Sequence, residues 1–233
     1  MCLQLPASAT WQHYSSKETH GWPDNPCNKG HIGRLGWYTM KDEASLTYAR
    51  IVQIGWTIGP ASSESPATKA LYVKPEGFEI TPAATKYHHI SQQLAEREGV
   101  SLTDALQQFM AEVVEAHGKG GRVVAHQIEF DYRVIYEELG RCGLTSLQQT
   151  WTQIAKAGYC TMHPLLGRWL VERSGEEVGP PTRQHTLSLD VMLRLLLPEK
   201  AATIAKKHGA GADAEMTRLV YIAALKLAKR AQG

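Results

Sequence analysis

The spacing of apolar residues changes along the chain, and the changes separate strands from helices. Residues Ala49–Gly59, ARIVQIGWTIG, are rich in β-branched and aromatic side chains and run into Gly-Pro, the pattern of a buried strand. ATKALYVKP alternates and stops at Pro75, which predicts a second, antiparallel strand. In SLTDALQQFMAEVVEAHGKGG, Leu102, Leu106, Phe109, Met110 and Val113 share one helical face. Ser101 is placed to cap that helix with Asp104 at the capping-box position, and Gly118, Gly120 and Gly121 end it. RVVAHQ reads as a short strand. FDYRVIYEELGRCG reads as a helix, with Val134, Ile135, Leu139 and Cys142 on one face. HTLSLDVMLRLLLP predicts a further helix stopped by Pro198, and Met216, Leu219, Val220, Ala223 and Leu227 mark a last one.

Strands come first, and helices then alternate with a strand. That order predicts an α/β fold with a mixed sheet flanked by helices. Residues 1–48 are polar and rich in Gly, Pro and Asn, and are set apart from a domain spanning 49–233. SGEEVGPPTRQ, residues 174–184, reads as an exposed loop.

Composition narrows the class. An apolar fraction of 43% supports a real core, and 21% charged residues argue against a disordered chain. The formal net charge of +2 is too small for a strong global field toward nucleic acid, which leaves a local basic groove, for example around Lys206 and Lys207. Cys2, Cys27, Cys142 and Cys160 have no zinc spacing, which suits reduced thiols and an intracellular protein. No apolar run reaches the roughly 18 residues of a membrane span, so no membrane association is expected.

The candidate chemistry lies at element edges. In KKHGAGADAEM, His208 stands five residues before Asp213 at the start of the last helix. An Asp at a helix start is commonly a cap. Asp131 lies just past the strand VVAHQ, where open α/β sheets form sites, and Glu18 lies in a polar stretch ahead of the strand at Ile51. Three carboxylates and a His at one sheet edge would suit Mg²⁺ or Mn²⁺. Two such ions about 4 Å apart clamp the attacking and leaving oxygens of a phosphodiester. The imidazole would take the proton of the attacking water. His88, His89 and His126 form no zinc pattern; His88 and His89, read as neighbours on a strand, diverge. Tyr87 and Trp22 are candidates to stack on a base.

VVAHQIEFDYRVIYEELGRCGL resembles the second motif of the DEDDh 3′–5′ exonucleases, and HGAGAD resembles their third, a His five residues before an Asp. ARIVQIGW is similar to their second strand. ITPAATKYHHIS is similar to the segment usually ending in His-Gly-Ile, with His89 at the Gly position, and CTM at Cys160–Met162 to the short strand after the second motif. Gln127 stands where the family usually has Asn. The resemblance covers roughly Arg50 to the end. It implies a ribonuclease H-like fold, two divalent cations, Mg²⁺ or Mn²⁺, and release of mononucleotides from the free 3′ end of single-stranded DNA or RNA. It also implies that Glu18, Asp131 and Asp213 are metal ligands, that His208 is the general base, and that Thr19 and Ile90 contact the terminal nucleotide.

The first motif departs from the family. Asp-x-Glu-Thr is matched by SKETHGWP at Glu18, Thr19, Gly21 and Pro23, but Ser16 takes the place of the leading Asp. Residues i and i+2 of a strand share a face, so Ser16 and Glu18 would both face the metals. A neutral hydroxyl cannot offset an ion as a carboxylate does, so weakened metal binding is expected. LGWYTMKDE offers Asp42 and Glu43 instead, although adjacent acids on a strand point to opposite faces without a bulge. A third reading takes this stretch as something other than the family's first strand. The activity expected is exonucleolytic; the alternative is an inactive pseudo-nuclease that binds nucleic acid or a protein partner.

Overall fold

The computed structural model describes residues 2–5, 50–60, 63, 66–162, 164–175, 187–204 and 209–230. The chain is a mixed α/β protein. Among the described residues, five strands form one sheet: β1 (Cys2–Leu5), β2 (Gln53–Pro60), β3 (Ala67–Tyr72), β4 (Arg122–Ala125) and β5 (Tyr159–Cys160), in the order β3-β2-β1-β4-β5. β2 and β3 pair antiparallel, β1 runs parallel to β2 and antiparallel to β4, and β4 and β5 are parallel. The start of β2 and the ends of β4 and β5 therefore lie at the same end of the sheet. The central strand is Cys2–Leu5, a segment that the sequence pattern left inside the polar stretch.

Successive strand residues point to opposite faces, and β2 shows what covers each. Trp56 faces α3 (Leu102–Gly118), where its ring meets Phe109 edge-on at 5.5 Å. Phe109 in turn meets Trp151 of α5 (Thr145–Lys156) at 5.8 Å. All three rings are fully buried, and such contacts are each worth about 0.5–1.5 kcal/mol beyond area burial. Ile135 and Leu139 of α4 (Ile128–Arg141) join the same core. Gly55, beside Trp56, faces the other way, against the start of α9 (Ala210–Arg230). α9 is backed by a second core made with α6 (Pro164–Ser174), α7 (Leu189–Leu196) and α8 (Pro198–Ile204).

The expected capping of α3 is present: Ser101 Oγ accepts from the Asp104 N–H at 3.1 Å and lies 2.7 Å from its carboxylate. Pro198 does follow the helix of LDVMLRLL, but it also opens α8, where its missing N–H costs nothing at a first turn. His88 and His89 are not on a strand. His88 ends α1 (Pro82–His88) and His89 caps it in the left-handed conformation, φ 61°, ahead of α2 (Gln92–Glu98). The loop expected at 174–184 lies outside the described residues beyond Gly175.

Candidate functional site

β4 delivers the first carboxylate. Its last residue, Ala125, is followed by His126 and by Gln127, which turns the chain in the left-handed region, φ 72° and ψ 52°, so that α4 starts at Ile128. The Gln127 carbonyl accepts from the Phe130 N–H at 2.9 Å and the Asp131 N–H at 3.4 Å. Asp131 thus rides on the first turn of α4, where free amides and the helix dipole favour an anion.

The second carboxylate comes from the opposite face of the sheet. The Ala210 N–H donates to Gln53 Oε1 at 2.9 Å, which fixes the start of α9 to the start of β2. The small residues of HGAGAD serve this close approach. A Cβ on Gly55 would overlap the Ala210 carbonyl group, and one on Gly211 would crowd Ala70 Cβ at 3.2 Å. Gly209 takes φ 135°, which favours glycine. The Asp213 N–H donates to the Gly209 carbonyl at 3.1 Å, which sets Asp213 in the first turn of α9 with its side chain exposed.

The two helices lie on opposite faces, yet both start at the same end of the sheet, α4 after the end of β4 and α9 at the start of β2. Asp131 is half-buried, and burial is the main force that pushes its carboxyl up from 3.8 to about 6. The Asp213 charge makes a smaller contribution in the same direction. A carboxylate penalised by burial and by a second carboxylate gains from a nearby cation when it ionises. Both donors are hard oxygens, the kind that Mg²⁺ and Mn²⁺ prefer. The pair therefore fits a divalent cation. Among the described residues, no group of three or more His, Cys, Asp or Glu is placed to hold a metal. Glu18 and His208, the other expected members, lie outside the described residues, as do Ser16, Thr19, Asp42 and Glu43. The central strand, Cys-Leu-Gln-Leu, brings no carboxylate of its own.

Comparison with protein-family models gives no match, and neither does comparison with curated proteins.

Ile90 is buried, held between two contacts of its backbone: its N–H donates to His88 Nδ1 at 3.1 Å, and its carbonyl accepts from Thr85 Oγ1 at 3.2 Å. Burial and the neighbouring His89 hold His88 below the usual histidine range. Tyr87 beside it is almost wholly exposed.

Two residues near the site, Gln53 and Phe130, were not singled out by sequence, and a third, His126, was weighed only as a zinc ligand. Gln53 was one polar letter in an apolar strand. Phe130, beside Asp131, remains partly exposed on the first turn of α4 although it is aromatic. His126 lies 3.0 Å by Nδ1 from Thr161 Oγ1. Burial holds it down to about 4, against weaker upward pulls from the Leu187 carbonyl and Asp190. Its Nε2 is buried with no hydrogen bond of good geometry, so the Leu187 carbonyl is a neighbour rather than an acceptor. All three lie in segments that resemble the family's, but the resemblance gave none of them a role; a polar or aromatic residue near a strand end was the remaining signal.

Proposed function

We propose that the chain is a metal-dependent 3′–5′ exonuclease with a ribonuclease H-like fold, acting within the cell on single-stranded DNA or RNA. The observation that carries this reading is that Asp131 and Asp213, far apart in sequence, sit in the first turns of two helices that start at one end of the sheet, near enough for the Asp213 charge to act on Asp131. Two backbone features support it. The described non-glycine residues with positive φ are His89 and Gln127, and they fall where the resembled family carries Gly and Asn, residues that adopt that conformation readily.

Asp131 and Asp213, with Glu18, would hold two divalent cations, Mg²⁺ or Mn²⁺, which when bound stabilise charge on the attacking and leaving oxygens. His208 accepts the proton of the attacking water. The water oxygen bonds to phosphorus, the P–O3′ bond breaks, and the departing 3′ oxygen takes a proton from solvent, releasing a 5′-mononucleotide. Thr19 and Ile90 contact the terminal nucleotide. Buried Ile90 does so as part of a rigid turn rather than as a free side chain.

A second reading is favoured by two features: β1 supplies no carboxylate, and Ser16 replaces the acid of the first motif. On that reading the chain binds 3′ ends, or a protein partner, without cutting. Degradation of a 5′-labelled oligonucleotide from its 3′ end, with Mg²⁺ or Mn²⁺, separates the two. The exonuclease reading expects a ladder of shortened products, its loss in Asp131→Ala, and a rate about 10²- to 10⁴-fold lower in His208→Ala. Binding without cleavage under either metal gives the pseudo-nuclease reading.

A further inference from the structure

We propose that Gln53, with Gly55, is a positioning pair for Asp213: together they pin the first turn of α9 to the start of β2 and so fix where Asp213 stands at the sheet end it shares with Asp131. The inference rests on the metal reading of the site and gives a role to two residues of the second strand to which the motif comparison assigned none.

Three observations converge. The Gln53 Oε1 accepts the Ala210 N–H at 2.9 Å, satisfying one of the free amides of a helix start from a residue more than 150 positions away in sequence. Gly55, two residues on and on the same face of β2, leaves room that a Cβ would close against the Ala210 carbonyl and the Gly211 amide. Gly209 packs its α-carbon toward the same amide oxygen, where a Cβ would lie 3.2 Å from Gln53 Oε1. The Asp213 N–H then donates back to Gly209. Gln53 is itself held in the sheet by its pairing with Tyr72 of β3. The chain of contacts therefore runs from sheet to Gln53, to the Gly209–Ala210 turn, to Asp213. The link that crosses from sheet to turn is the Gln53 side chain, which is half-buried. A metal ligand on the first turn of a helix moves with that turn, and such outer contacts typically carry about 10- to 100-fold in metal affinity.

The test uses the full chain and three variants, with Mn²⁺ as the probe. Amide hydrogen exchange over residues 210–213 reports the pinning, and calorimetric Mn²⁺ affinity reports its consequence. Gln53→Ala should speed exchange of these amides roughly tenfold, the effect of one lost hydrogen bond, and weaken Mn²⁺ by about 10- to 100-fold with the thermal midpoint little changed. Gln53→Glu keeps an acceptor oxygen at the same reach and should restore both. Gly55→Ala should weaken Mn²⁺ by displacing the turn while Gln53 is intact, and serves if Gln53→Ala folds poorly. Unchanged exchange in Gln53→Ala, or faster exchange with wild-type Mn²⁺ affinity, would overturn the proposal. A wild-type chain that binds no Mn²⁺ overturns the metal reading instead. The exchange comparison then decides the pinning alone: faster exchange in Gln53→Ala upholds it, and equal exchange refutes it.

Discussion

Asp131 and His126 sit a few residues apart, and burial moves both toward their neutral forms, with opposite consequences for stability. Asp131 is raised from 3.8 to about 6, so between those values the folded chain holds a proton that the unfolded chain has released. Stability from this group therefore falls as pH rises from about 4 to 6 and stays low above. Asp131→Asn should stabilise the metal-free chain at pH 7.5 by roughly 1–3 kcal/mol, the upper end being the full shift converted at 1.36 kcal/mol per unit, and should gain little at pH 3.5. Urea unfolding at the two pH values tests this; a variant less stable than wild type at pH 7.5 would show that Asp131 is not a burdened carboxylate. His126 works the other way. Held at about 4 against an ordinary 6.5, it contributes fully above pH 6.5 and loses that contribution as pH falls toward 4, by up to about 3 kcal/mol. His126→Gln keeps a polar partner for Thr161 and removes the titration. The acid limb of the stability curve between pH 6.5 and 4 should flatten, and an unaltered limb would assign acid sensitivity to other groups.

At the scale of elements, the helix that carries Asp131 is fixed by a buried acid farther along it. Glu138 of α4 is fully buried and accepts from Arg50 Nε at 3.1 Å and the Ile51 N–H at 3.0 Å, with Arg141 Nη1 at 3.0 Å from its other oxygen. Both arginines keep about a quarter of their side chains exposed. Arg50 also lies over the Phe78 ring at 4.3 Å. These contacts join α4 to the residues leading into β2, so they relate the two elements that bear Asp131 and Gln53. Removing one partner of a fully buried ion pair costs about 3–5 kcal/mol; with partly solvated arginines, Glu138→Ala should cost about 2–3 kcal/mol in chemical denaturation. A loss below about 1 kcal/mol would show that solvent already satisfies the arginines. The elements themselves were legible unevenly. The strand at Gln53–Pro60, the capped helix α3 and the last helix follow from long apolar periods. α1 and α2 are too short for a period to show, and so His88 and His89 looked like strand residues. β1 has four residues, and its place at the centre of the sheet depends wholly on partners far along the chain.

For the whole molecule, the decisive arrangement is a sheet with helices on both faces, of which α4 and α9 start at the same end. Sequence spacing could nominate Asp131 and Asp213, because a carboxylate after a strand and a carboxylate at a helix start are visible as letters. It could not show that Gly55, Gly209 and Gly211 exist to let that helix start touch the sheet, since close approach is a property of packing. No helix among the described residues is long and apolar enough to cross a membrane. The account stands most directly on whether the two carboxylates share a cation, and calorimetric titration of the full chain with Mn²⁺ at pH 7.5 measures that. Wild type should bind, while Asp131→Asn and Asp213→Asn, each still folded, should each weaken binding by at least about tenfold, as loss of a ligand or its support does. Mn²⁺ affinity that is the same in wild type and both variants would contradict it.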